Sequence, residues 1–340
     1  MCYTLCIPVI SSKIMADPTY RDALKHSWRL TKSHHNLWPF GLFAVMLGQF
    51  GLFELVSRLW TASATPSLIE WWQALGQLFS RQSWQALQAA FADGAAQWIW
   101  AFWLALILLG IGLTFLFVAT VCQGALIYAS EKYAAFRLRL PNERAAWHVG
   151  VKHFWRVFSL NVLRKVIVAL AATAAVSALA TISVSTTHLV WFWTIFIAAM
   201  VIGAVASIML VYAVAYVVVE EYGFWASIRS AALLLWRHPL VSLETGLITL
   251  ALNGLLLVFT LFAVLYLFLL PSILGTYLLT WLPFPILGSI IGVASYASFL
   301  AILMFVGAVF TVWTISIWTY LFAKMHQGTM ESKLSRLFKR

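Results

Sequence analysis

Six long apolar stretches govern what this chain can become: residues 37–59, 98–122, 157–182, 189–219, 240–270 and 284–323. Each exceeds the roughly 20 residues that a helix rising 1.5 Å per residue needs to cross a bilayer's hydrocarbon. Inside that hydrocarbon every backbone N–H and C=O must be satisfied internally, so an open chain of such stretches folds as helices. Charged residues make up only 10% of the sequence, against about 25% in an average soluble domain. Mean hydropathy is +0.90. A soluble globular domain, a disordered chain and a disulfide-stapled module are thereby excluded. The expected fold is all-α: a polytopic membrane protein with six transmembrane helices, forming a single transmembrane domain over residues 1–340. The longest polar stretch, the connection 60–97, is too short to be a soluble enzyme domain of 50 residues or more.

The net charge of +11 would suggest nucleic acid on a soluble protein. Here the positive charges flank apolar spans, which makes anionic lipid headgroups the expected partner and nucleic acid an unexpected one. Lys13, Arg21, Lys25, Arg29 and Lys32 precede the first span; Lys132, Arg137, Arg139, Arg144, Lys152 and Arg156 lie between the second and third. Arg229 and Arg237 lie between the fourth and fifth, and Lys324, Lys333, Arg336, Lys339 and Arg340 follow the sixth. The other side carries only Arg81, with Arg58 at a span edge. The positive-inside rule then puts both termini in the cytoplasm. Residues 1–10 lack the basic start and small-residue cleavage site of a signal peptide. Cys2 and Cys6 are not expected to pair in a reducing compartment, and no further ligand set accompanies them for a metal.

The outer connections are expected to differ. Residues 60–97, with Trp71, Trp72 and Trp84, read as two short helices on the outer surface; 183–188 is a short turn; 271–283 is an apolar loop in the headgroup region. The 18 Trp residues gather near span ends, as an aromatic belt does.

A unit recurs three times. Asp17-Pro18 is an N-cap followed by Pro at the first helical position. At 100° per residue, Arg21, Lys25, Arg29 and Lys32 then fall within about 80° of one another. Tyr20, Ala23, Leu24, Ser27 and Trp28 occupy the other side, which makes this a basic amphipathic helix lying on a membrane surface, ahead of the first span. Residues 142–156 and 224–237 take the same place before the third and fifth spans. Aligned, the units read Ala23-Leu24-Lys25-His26-Ser27, Ala146-Trp147-His148-Val149-Gly150 and Ser227-Ile228-Arg229-Ser230-Ala231. The shared order is small, apolar, basic, any, small. The expected architecture is therefore three units of surface helix, span in and span out, with amphipathic interfacial helices before the odd spans.

The phrases ALKHSWRLTKSHHNLWPFGLF (23–43), VCQGALIYASEKY (121–133) and AAWHVGVKHFWRVFSLNVL (145–163) resemble uncharacterised bacterial polytopic membrane proteins similar to the membrane domain associated with glycerophosphoryl diester phosphodiesterases. The resemblance implies a six-span bundle with interfacial helices in the bacterial cytoplasmic membrane. It implies no activity, because in those enzymes the phosphodiesterase work belongs to a separate soluble barrel for which this chain has no room.

Charges inside a membrane are costly and mark candidate sites. Arg164 and Lys165 lie about two turns into the third span and Glu244 at similar depth in the fifth. Together with Arg21, Lys25 and Arg29 they are the candidate contacts for an anion or lipid headgroup. For the intramembrane three, snorkelling to the inner headgroups with one interhelical ion pair is the preferred explanation over an anion site. Glu54 and Arg58, at i and i+4, read as an ion pair in the first span. Gln49 and Asn253 are candidate interhelical hydrogen bonders. His34-His35 and His238 occupy corresponding turns before spans. Gly288, Gly292, Ser295 and Ser298, and Ala199, Gly203 and Ser207, form small-residue packing faces.

No HExxH, GxSxG, Walker loop or Cys/His metal spacing is present. No catalytic residue, cofactor or metal is expected. The sequence therefore points to a non-enzymatic integral membrane protein, lipid-interacting or accessory to a membrane complex. The alternative is a transporter or permease for a small or lipid-like substrate. A membrane enzyme acting on a lipid headgroup ranks third.

Overall fold

In the computed structural model, residues 19–47, 81–135, 142–180, 186–281 and 285–326 are described. Among them every regular element is helical and no strand occurs. The order is α1 (Thr19–Ser33), a 3-10 turn (His35–Leu37), α2 (Trp38–Ala44), a second 3-10 turn (Val45–Leu47), α3 (Arg81–Ala135), α4 (Glu143–Lys152), α5 (Phe154–Ala180) and α6 (Thr186–Val219). α7 (Phe224–Arg237), α8 (Pro239–Ala263), a π-helical turn (Val264–Leu269), α9 (Leu270–Trp281) and α10 (Pro285–His326) complete it.

Five of these helical stretches are long and apolar enough to cross a membrane: Phe102–Ala135, Phe154–Ala174, Trp193–Val219, Pro239–Leu267 and Val293–His326. They match the second to sixth apolar stretches. Of the first, 37–59, only the part to Leu47 is described; Glu54, Arg58 and Gln49 lie outside the described residues, as do Cys2, Cys6 and Asp17-Pro18.

Two connections differ from expectation. Residues 81–97 are not a separate surface helix but the first five turns of α3, a 55-residue helix about 80 Å long at 1.5 Å per residue. Their sequence is rich in Gln and Ala, good helix formers, and the helix runs on through Asp93-Gly94 into the span. Residues 60–80 lie outside the described part. The expected loop at 271–283 is helical as far as Trp281. Pro271 has no N–H to donate and crowds the carbonyl four residues back. The helix absorbs it by widening to a π turn at Val264–Leu269, directly before the proline, a known way for a helix to accommodate such a fault without ending. The last apolar stretch is one 42-residue helix, so Gly288 and Gly292 do not divide it.

The three short amphipathic helices form where they are expected. Asn142 caps α4 by accepting from the Arg144 N–H, and Glu143 and Lys152 place favourable charges in its first and last turns. α7 ends at Arg237, with His238 outside the helical region at φ −129°, ψ 55°, because the residue before a proline is steered out of that region. Pro239 then opens α8 at a position where a missing N–H costs nothing.

The packed core lies at the end of the bundle that carries these helices. Leu30, Leu126, Tyr133, Leu160, Tyr212, Ile317 and Phe322 are fully buried in one cluster. By contrast, residues 102–117 of α3 are exposed on every side, as are much of Val190–Val205 on α6 and Leu255–Tyr277 on α8 and α9. Ala199, Gly203 and Ser207 are buried, as a small-residue packing face should be.

Candidate functional site

At the packed end, α1 turns a face of small and apolar residues inward. Ala23, Ser27, Leu30 and Thr31 are buried, while Arg21, Lys25, Arg29 and Lys32 are exposed. Among the described residues these four cations have no ion pair. His26, between the two faces, sits against Tyr133 and Tyr320 with ring centroids 5.0 and 4.7 Å apart. Its Nε2 is buried without a hydrogen-bond partner. Burial holds its pKa below the ordinary value, and Arg29 and Lys324 lower it further.

The small positions of the aligned units are buried in all three helices. They are Ala23, Ala146 and Ser227 at the first position, and Ser27, Gly150 and Ala231 at the second. The basic positions Lys25, His148 and Arg229 are all exposed.

The turn after α1 and the start of α4 enclose a cleft of about 220 Å³. His34, Asn36, Asn142 and Glu143 form its polar side, and Leu37, Phe40 and Ala125 are among its apolar walls. Asn36 Nδ2 donates to Glu143 Oε1 at 2.7 Å. This ties the turn before the first apolar stretch to the surface helix before the third.

A second cluster joins the α4–α5 junction to the end of α6. Lys152 Nζ lies 2.6 Å from Glu221 Oε1. Arg156 Nη1 donates to the carbonyls of Glu221 (3.3 Å) and Tyr222 (3.5 Å). Glu221 has φ 57°, a left-handed conformation that costs a non-glycine residue about 1–2 kcal/mol. The Lys152 hydrogen bond and charge hold the Glu221 carboxyl below the usual carboxylate range. His153 is buried between them, with neither ring nitrogen hydrogen-bonded and Glu221 Oε1 4.0 Å from Nε2. Desolvation depresses its pKa, against the opposing pull of Glu221. Glu220 approaches His326 Nε2 at 3.6 Å.

Deeper in, Asn161 Nδ2 donates to Gln123 Oε1 at 2.6 Å, a buried polar bond between α3 and α5. Arg164 is 3% exposed, and its Nη2 donates to the Leu47 carbonyl at 3.3 Å. It is therefore buried in the bundle rather than snorkelling. Lys165 and Glu244 are half-buried on α5 and α8.

Sequence reading did not single out the Lys152–Glu221 pair, His153, or the Gln123–Asn161 bond. The first had a signal, an acidic pair at a span exit opposite a basic run in the preceding connection. The last had none, because polar partners 38 residues apart meet only through helix packing. Cys122 is a free, buried thiol. Among the described residues no group of three or more His, Cys, Asp or Glu is placed to hold a metal.

These features define an all-helical membrane protein whose polar groups gather at its basic end. Comparisons with family models, curated proteins and solved structures give no match, so its class rests on its own sequence and geometry.

Proposed function

We propose that this chain is a non-enzymatic integral protein of the bacterial cytoplasmic membrane, with both termini cytoplasmic, whose basic face holds anionic lipid headgroups. The carrying observation is α1, where the small side is buried against the bundle and Arg21, Lys25, Arg29 and Lys32 all face outward. A surface helix anchored by packing presents its cations at fixed places, and each cation near an anionic surface contributes about 1 kcal/mol. The finer architecture belongs to the same reading: six spans in three units, supported by the burial of both small positions in α1, α4 and α7.

Reconstitution with spin-labelled lipids tests it. The wild-type protein should restrict phosphatidylglycerol more than phosphatidylcholine. Changing Arg21, Lys25 and Arg29 together to Gln should bring the two close to parity. Equal restriction of both lipids by the wild type would refute the reading.

The same repeat supports transport of a small or lipid-like substrate as the second reading, since parallel repeats about a membrane-normal axis occur in transporters. Cysteines placed at Lys165 and Glu244 that react with aqueous reagents from both sides would move it ahead.

A further inference from the structure

Between α8 and α10 runs a groove of about 300 Å³ with an entirely apolar lining. Leu255 and Phe259 form one wall, Phe305 and Val309 the other, and Trp28 of α1 lies against Trp313 at one end. The two indoles meet edge-on with centroids 5.1 Å apart. From Trp313 to Phe305 the groove follows eight residues of α10, about 12 Å at 1.5 Å per residue. A leaflet's share of the hydrocarbon is about 15 Å. The groove therefore has the length of one leaflet, starting from the level of the surface helix.

Its mouth is charged. At 100° per residue, Arg21, Lys25 and Lys32 fall within about 60° of Trp28 on α1, and all three are exposed. An apolar slot one leaflet deep, opening beneath a row of cations, is complementary to a molecule with a long hydrocarbon chain and an anionic head. We infer that this groove is a binding site for a single anionic glycerophospholipid, one acyl chain lying along Phe259, Phe305 and Val309 and its phosphate held by Lys25, Lys32 and Arg21. The inference rests on the lipid-holding reading above and deepens it from a basic face to one defined site.

The test is native mass spectrometry of the full-length detergent-purified protein, titrated separately with dioleoylphosphatidylglycerol and dioleoylphosphatidylcholine. The wild type is expected to retain one phosphatidylglycerol preferentially. Val309→Trp, which fills the groove from α10, should weaken that first binding event at least about tenfold, and Leu255→Trp should do the same from α8. The triple change Arg21→Gln, Lys25→Gln, Lys32→Gln should abolish the preference for phosphatidylglycerol while leaving one chain bound. Phosphatidylglycerol carrying a photoreactive acyl chain should crosslink to the peptides containing Phe259 and Phe305. That readout uses the wild-type protein and decides the matter even if a groove-filling variant fails to fold. A wild type without preference for the anionic lipid would remove the general reading along with the site. A preference untouched by both tryptophan variants, or crosslinks that map elsewhere, would overturn the groove alone.

Discussion

Gly124 and Gly150 meet where α3 crosses α4: a Cβ added at Gly124 would stand 3.2 Å from the Gly150 Cα, and one added at Gly150 would run into the backbone carbonyl of Val121. The missing side chains let the two helices touch backbone to backbone. This contact fixes the surface helix of the second unit against the bundle. It also positions Lys152 at the end of α4, His153 at the junction and Arg156 in the first turn of α5.

Gly150→Ala should therefore destabilise the protein, although alanine is the better helix former by about 1 kcal/mol. The obstructing atom is backbone, which cannot rotate aside, and overpacking of this kind costs about 1–3 kcal/mol. Gly110→Ala is the control, because a Cβ there meets nothing within 4 Å. Thermal unfolding in detergent should show a lowered midpoint for the first and an equal or raised midpoint for the second. Equal responses would mean that the glycine crossing does not hold α4 in place.

The Gln123–Asn161 bond yields a second prediction. Replacing one partner leaves a buried polar group unsatisfied, at a cost of about 1–3 kcal/mol in water-soluble proteins. Within membranes measured couplings are smaller, about 0.6 kcal/mol on average. Gln123→Leu and Asn161→Leu should each lower stability, and the double variant should lose less than the sum of the two. Additive losses in a double-mutant cycle would show that the 2.6 Å contact contributes no coupling.

Much of this was legible in the sequence, and the reasons are local. Pro239 marks the break between α7 and α8 because a proline acts on its immediate neighbours. The inward placement of Ala23 and Ser27 follows from their spacing, because helical periodicity is a property of a single segment, but Trp28, expected on the same side, is 48% exposed. Pro271 misled for a related reason. It reads as a loop signal, but an apolar helix in lipid gains more by widening to a π turn than by exposing its backbone. Arg164 is expected to snorkel, yet it is buried, and its hydrogen bond to the Leu47 carbonyl spans 117 residues. His153 is similar: its burial depends on α6 ending at Glu220 and Glu221, which no pattern around His153 records.

The strained turn at Glu221 gives a third prediction. Its left-handed backbone persists because Arg156 binds the carbonyls of Glu221 and Tyr222. Arg156→Ala should destabilise the α6–α7 turn more than Lys152→Ala, since the Lys152 pair is exposed and such pairs are worth about 0–1 kcal/mol. Glu221→Gly relieves the strain and removes the carboxylate together. Combined with Arg156→Ala it should restore part of the lost stability. Hydrogen exchange at the Tyr222 amide, which bonds to the Tyr216 carbonyl at 3.3 Å, reports the turn directly. Faster exchange in Lys152→Ala than in Arg156→Ala would reverse the assignment.

The buried histidines make stability depend on pH, with a definite sign. His26 and His153 both have pKa values depressed by desolvation, against about 6.5 in an unfolded chain. Above that value both states are neutral at these positions and nothing is lost. As pH falls from about 6.5 toward the folded values, the unfolded chain takes up protons that the folded one resists, so stability declines. Glu221, also depressed, adds a second decline in the same direction, starting only below the carboxylate's ordinary range near 4.5. The unfolding midpoint should therefore be level above pH 7, fall as pH drops below about 6.5, and fall further below the ordinary carboxylate range. His26→Phe keeps the packing between Tyr133 and Tyr320, and His153→Leu removes a buried ring that has no hydrogen bonds. Together they should flatten the first decline and leave the second, which Glu221→Gln should reduce. A double histidine variant whose midpoint declines as steeply below about pH 6.5 as the wild type's would assign that decline to other groups.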